Sequence, residues 1–279
     1  MLGRRVIADC HMARRRYVGT KDCSQQFRPS GTDQSRNAEP LTPMDMERYI
    51  LNEIVPHIES PQYDGSEAVD FIIERAMADD TRQVVLMPIG KLTNIALALK
   101  KAPSIAKKVR IVWLGTNYPE PGEYNFVHDI GALDPILESG VPFEMAMVRY
   151  GEPSGTDAVR ASLKDIQRIM PGKGPSISQA VSGRHGGTFS NFGDYSVELF
   201  EKFRGNPKER PLFDMAAVAI VKNPKWANPV IIGAPKFVDG KWIDRPDNAR
   251  KIVIWENFDK EEIMKDFYTR MDKYVLVKP

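Results

Sequence analysis

The pattern of apolar and polar positions changes near Met46. Residues 13–46 are polar, rich in Arg, Gln, Ser, Asp and Pro, and carry almost no apolar period, so they contribute little to a core. Beyond Met46, Ile50, Ile54 and Val55 fall at helical spacing, and residues 67–77 repeat it with Val69, Ile72, Ile73 and Met77 on one side. A folded domain is therefore expected over residues 47–279, behind a poorly patterned segment of residues 1–46.

The run Val84, Val85, Leu86, Met87 is short, begins with β-branched residues and is closed by Pro88 and Gly90, as a strand buried on both faces would be. Thr93 or Asn94 can cap the helix that follows, residues 95–99 form its apolar side, and Pro103 limits it. Residues 109–114, closed by Gly115, read as a second buried strand, residues 134–138 as a helix and residues 142–148 as a third strand. Alternation at this spacing predicts a parallel sheet with right-handed crossovers. Residues 163–170 and 195–203 are amphipathic helices with a glycine-rich loop at 183–187 between them. Residues 215–221 are apolar enough to pack on the sheet, and residues 251–255 and 261–271 give a last strand and helix. The expected fold class is α/β: one doubly wound, mostly parallel, Rossmann-like domain without internal repeats.

Composition narrows the partners. A net charge of +2 on 279 residues leaves no electrostatic footprint for nucleic acid or an anionic membrane, so a small molecule is the expected ligand. Cys10 and Cys23 are the only cysteines and lie in no zinc-binding spacing, which suits free thiols in a reducing compartment. The basic start, MLGRRVIADCHMARRR, lacks the apolar run of a signal peptide, and no stretch is long enough to span a bilayer; a cytoplasmic location is expected.

In doubly wound sheets ligands bind beyond the carboxyl ends of the strands, which directs attention to the loops after Met87, Leu114 and Val148. The first, Ile89-Gly90-Lys91-Leu92-Thr93-Asn94, is on its own a tight strand-to-helix turn. The second, from Gly115 to Asn125, crowds Asn117, Tyr118, Glu120, Glu123 and Asn125 at a strand end. Carboxylates accept from hydroxyls and amides both donate and accept, so the set suits a sugar, although a polar surface loop has the same composition. Asp214 stands between Phe213 and the apolar Met215-Ala216-Ala217-Val218, where an acid is either a helix cap or a ligand. His11, His57, His128 and His185 show no HxxxH or HExxH spacing, and no GxSxG, Walker or GxGxxG motif is present.

Three segments in order, VVLMPIGKLTNIALALKKAPSIAKKVRIVWLG, GEYNFVHDIGALDPILESGVPFEM and FDMAAVAIVKNP, resemble the successive signatures of the calcium-dependent nucleoside hydrolases, the inosine- and uridine-preferring N-ribohydrolases, from about Glu67 to near the C-terminus. The resemblance implies hydrolysis of the N-glycosidic bond of ribonucleosides, as in purine and pyrimidine salvage, with a Ca²⁺ that binds a water and the ribose hydroxyls. It implies Asp214 and the main-chain oxygen of Ile89 as metal ligands, and Glu123, Asn125 and, less closely matched, Asn117 as ribose-binding groups. Phe213 occupies a substrate-facing position where some members carry histidine; His185, in the SGRHGGTFSN loop, is either the histidine that reaches the base pocket instead or a simply solvated one, and Asp129 is read as structural.

One family feature is missing. The strand-and-loop DxDxxxDD that supplies the catalytic base and most of the metal's charge has no clear copy. The nearest is Val6-Ile7-Ala8-Asp9-Cys10-His11, which makes Asp9 the candidate catalytic base but puts His11 at the second acidic position and Ala13-Arg14-Arg15-Arg16 after it. Without a first strand the sheet would have unpaired edges, so residues 5–9 substitute for it, another chain covers the gap, or the chain is a truncated product. Three readings follow: a hydrolase working through Asp9, a non-catalytic member that binds a nucleoside, and a subunit pairing with an intact paralogue or with itself.

Overall fold

The computed structural model describes residues 67–274 together with the backbone of residues 5–8. The polar stretch 13–46, the expected helix carrying Ile50, Ile54 and Val55, Asp9, both cysteines, His11 and His57 lie outside the described residues. In chain order the elements are β1 (Arg5–Ala8), α1 (Glu67–Met77), β2 (Val84–Met87), α2 (Thr93–Lys101), β3 (Val109–Thr116), α3 (Tyr124–Val127), α4 (Leu133–Glu138) and β4 (Phe143–Met147). They continue as β5 (Arg160–Ser162), α5 (Leu163–Ile169), β6 (Ser176–Ser182), β7 (Thr188–Asn191), α6 (Phe192–Lys202), β8 (Glu209–Pro211), α7 (Phe213–Lys222), β9 (Asn228–Gly233), β10 (Lys236–Val238), β11 (Lys241–Ile243), β12 (Lys251–Glu256) and α8 (Lys260–Asp272).

A six-stranded sheet runs in the order β1-β2-β3-β4-β12-β9. β2 pairs in parallel with β1 and with β3, and β12 pairs in parallel with β4 and antiparallel with β9. The α/β class and the mostly parallel sheet are as the sequence predicts. The described residues form two compact units, one of those up to Ile111 with Tyr124–Pro142 and the other of Val112–Glu123 with those from Phe143 on.

In the first unit every residue of β2 is buried, as the uninterrupted apolar run requires. Burying a side chain of this size stabilises by about 1.5–3 kcal/mol relative to leaving it exposed. α2 buries Ile95, Ala96, Leu97, Ala98 and Leu99, matching its predicted apolar side. The expected cap does not form. Leu92 occupies the cap position with no side-chain bond, and Thr93 is the first helical residue, its hydroxyl committed elsewhere. α1 turns inward on Val69, Ile72 and Ala76; Ile73 is half-buried and Met77, the last helical residue, ends in solvent.

The missing first strand is partly supplied. Arg5–Ala8 lie parallel to Val84–Met87 in register, so β2 has a partner on each side and the open edge moves out to β1. Of the three ways of filling the gap, substitution by residues 5–9 is the one the backbone takes for residues 5–8.

In the second unit the end of β3 and all of β4 are buried, including Glu144, whose Oε2 accepts from Trp255 Nε1 at 2.6 Å. β3 runs on through Gly115 and Thr116, two residues past its expected end. α5, α7 and α8 fall where the apolar spacing puts them, while α6 starts three residues early because Asn191 caps it, accepting from the Asp194 N–H at 2.8 Å. The glycine-rich loop at 183–187 is the turn of a hairpin joining β6 and β7, and three further short strand pairings, β5 with β8, β10 with β11 and the edge strand β9, carry no readable alternation.

Candidate functional site

Two groups of side chains gather at strand ends, one in each unit. In the first unit the turn from β2 to α2 carries Ile89, whose carbonyl accepts from Asn125 Nδ2 at 3.3 Å. Asn125 sits on α3, and Asp129 follows one helical turn later. Thr93 donates its hydroxyl to Asp129 Oδ2, which is why that hydroxyl is unavailable to cap α2. Asn125 and Asp129 thus hold the Ile89–Thr93 turn at both ends.

Asp129 is 2% exposed, and its Oδ1 is buried without a hydrogen-bond partner. Burial raises its pKa above the ordinary carboxylate value, against smaller opposing effects of the Thr93 hydroxyl and the Lys91 charge.

In the second unit the loop after β3 begins with Asn117 and ends with Glu123, which is 3% exposed. Asn117 is a clamp: its Oδ1 accepts from the Tyr150 N–H at 2.9 Å and its Nδ2 donates to the Pro121 carbonyl at 3.4 Å. Tyr118 donates its hydroxyl to Asp244 Oδ1 at 2.6 Å, and burial followed by the Asp244 contact pushes its pKa up to about 12.

The loop after β4 starts with Arg149 at φ 47°, a left-handed conformation that costs a residue with a Cβ about 1–2 kcal/mol. The guanidinium offsets this. Nη1 pairs with Glu256 Oε2 at 2.7 Å and donates to Ser154 Oγ at 3.1 Å, and Nε donates to the Tyr118 carbonyl at 3.4 Å. Tyr150 comes next, its ring edge-on to Phe213 with centroids 5.9 Å apart.

Asp214 is the second residue of α7, not its cap; Leu212 holds that position without a side-chain bond. The residue is exposed at the surface, yet enough protein surrounds its carboxyl that desolvation alone raises the pKa. Among the described residues no hydrogen bond or ion pair engages it.

Of the residues singled out from the sequence, Ile89 and Asn125 meet in the first unit, and Asn117, Glu123, Phe213 and Asp214 belong to the second. Asp9 lies outside the described residues, and His185 is exposed in the β6–β7 turn. Sequence reasoning missed Arg149 and Tyr150, although it named the loop after Val148; an Arg-Tyr pair directly after a buried strand was the available signal.

The Asp214 carboxylate in the second unit and the Ile89 main-chain oxygen in the first are each an oxygen donor of the kind a hard cation takes. Among the described residues no group of three or more His, Cys, Asp or Glu could hold a metal ion. No helix among them is long and apolar enough to cross a membrane.

Comparison with known proteins places the chain in a family. An uncharacterized protein of Schizosaccharomyces pombe, C1683.06c, is 38% identical over 121 residues, 40% of this chain and 37% of that protein. The pyrimidine-specific ribonucleoside hydrolase RihB of Escherichia coli is 37% identical over 90 residues, 30% of this chain and 28% of RihB. The matched stretches therefore span about a third of the length of these relatives.

Among solved structures, the inosine-uridine preferring nucleoside hydrolase of Bacillus anthracis superposes with TM-score 0.55 at 18% identity, over 87% of this chain and 78% of that one. The purine-preferring ribonucleoside hydrolase of Gardnerella vaginalis gives 0.54 at 21%, over 85% and 76%. These likenesses establish the fold. The family model for inosine-uridine preferring nucleoside hydrolase matches residues 15–270, reaching further toward the N-terminus than the motifs themselves. The chain belongs to the inosine-uridine preferring nucleoside hydrolase family.

Proposed function

We propose that the chain hydrolyses the N-glycosidic bond of ribonucleosides, giving free base and ribose. The observation that carries the reading is Asp214: a carboxyl with its pKa raised by desolvation, unengaged by any cation or donor among the described residues, and next in sequence to an aromatic pair. Family membership supplies the ligand class.

In this reading Asp214 would be one of the oxygen ligands of a Ca²⁺, with Asp9 adding charge. Bound calcium supplies a Lewis acid that orients a sugar diol and lowers the pKa of a water. Asp9 takes the proton from the attacking water. Glu123 would accept from ribose hydroxyls, and the Asn125 amide, able to donate and to accept, is the second ribose-binding group as positive charge builds at the anomeric carbon. As the water oxygen bonds to the anomeric carbon the bond from that carbon to the base nitrogen breaks, and the departing base, which Phe213 would face, takes its proton from solvent.

A second reading, a non-catalytic member that binds a nucleoside, is favoured by one feature: His11 stands where the family's second acid belongs. One experiment separates the two. The full chain is incubated with a panel of purine and pyrimidine ribonucleosides and Ca²⁺, and released ribose is measured by reducing-sugar assay. Hydrolysis abolished by EDTA and by Asp214→Ala is the expected result. Nucleoside binding without any release of ribose would select the second reading.

A further inference from the structure

The β2–α2 turn is gripped at two points by one neighbouring segment. Asn125 Nδ2 donates to the Ile89 carbonyl at 3.3 Å, and further along the same segment the Asp129 carboxylate accepts both the hydroxyl and the N–H of Thr93. The two grips belong to a single stiff body. Asn125 lies on α3, the Asp129 N–H donates to the Phe126 carbonyl at 3.0 Å, and Phe126 is buried. Inside the turn, a Cβ on Gly90 would meet nothing within 4 Å, and the buried Leu92 anchors through apolar contact, which has no direction. Direction comes from the hydrogen bonds.

Asp129 does more than cap a helix. Leu92 stands at the cap position of α2 without a side-chain bond, and the acid that serves the first turn comes from 36 positions along the chain, with its Oδ1 left buried and without a partner. A cap beside the helix in sequence would leave no such oxygen stranded. What the distant acid adds is a fixed spacing between the turn and the segment that carries Asn125. The amide is planar, so once Nδ2 is held on the Ile89 carbonyl the aim of Oδ1 is set with it.

We propose that Asp129, acting through Thr93, is a positioning residue that sets the orientation of the Asn125 amide toward the ribose hydroxyls of a nucleoside. The inference rests on the hydrolase-family reading of Asn125.

Equilibrium dialysis of ribose against the full-length protein in Ca²⁺ tests it. Wild type is compared with Thr93→Val, Thr93→Ser, Asn125→Ala and the double variant of Thr93→Val with Asn125→Ala, each shown by circular dichroism to be folded at the temperature used. Thr93→Val, which keeps the shape and loses the hydroxyl, is expected to weaken ribose about threefold to tenfold, the worth of one hydrogen bond. Thr93→Ser keeps the hydroxyl and is expected to bind as wild type does. In the Asn125→Ala background Thr93→Val is expected to have no further effect, because the group through which it acts is gone. Unchanged affinity in Thr93→Val overturns the proposal, as does a Ser variant no better than Val. A loss of the same size with and without Asn125 also overturns it, marking the Thr93–Asp129 contact as structural. If Thr93→Val does not fold, Asp129→Asn takes its place in the same cycle under the same criteria. Ribose affinity unchanged by Asn125→Ala overturns the sugar-binding role of Asn125 and the positioning role with it, whereas a wild-type protein that binds neither ribose nor inosine overturns the hydrolase-family reading itself.

Discussion

Asp129 gives one carboxylate oxygen to the Thr93 hydroxyl and keeps the other buried without a partner. Burial raises its pKa from 3.8, so the folded protein holds this proton more tightly than the unfolded chain does. Its contribution to stability is then most favourable below the unfolded pKa and is lost as pH rises through the raised folded value. Asp129→Asn cannot ionise. The wild-type Tm minus the variant Tm, measured by scanning calorimetry, is therefore expected to fall between about pH 4 and about pH 7. A difference constant across that range would mean the carboxyl is not desolvated. The sequence showed the acids and amides of this turn but not their pairing, because Thr93 and Asp129 are 36 positions apart and no local pattern links them. Asp214 was readable as either cap or ligand, and only the backbone at Leu212 removed the cap.

At the scale of elements, legibility followed burial. β2, β3, β4 and β12 were plain because an apolar run is what a strand inside a parallel sheet must have, and α2, α5, α7 and α8 because one face of each meets the core. The β6–β7 hairpin was not, since β6 is exposed along its whole length and has no inward face to write a pattern. The start of α6 depends on a contact rather than a pattern. A Cβ on Gly193 would meet the Met170 carbonyl oxygen at 1.8 Å and Lys173 main-chain atoms at 2.8 Å, so α6 enters where only glycine fits. These are backbone atoms at the end of α5 and beyond, and they cannot swing aside. Gly193→Ala is expected to destabilise by about 1–3 kcal/mol, the usual cost of overpacking, as a lowered midpoint in urea unfolding. An unshifted midpoint would mean that α6 moves freely off this contact.

For the whole molecule the open question of the sequence was its first strand. β1 pairs with β2 over Arg5–Ala8 and takes the sheet's edge. Deleting residues 1–8 would expose the backbone of β2, whose residues are apolar and otherwise buried, as a new edge. Light scattering is expected to show greater self-association of that deletion than of the full chain at equal concentration; equal scattering would mean that β2 needs no cover. By itself the sequence determined the α/β class, the order of the buried strands and the kinds of group, acid, amide and aromatic, at their carboxyl ends, because burial on both faces and a helical period leave their mark on neighbouring residues. Only the tertiary structure decided that Thr93 serves Asp129 and not its own helix, that Asn117 clamps Tyr150, and that Arg149 is held left-handed, because these depend on which distant backbone and side-chain atoms come within hydrogen-bonding distance, and spacing along the chain does not encode that.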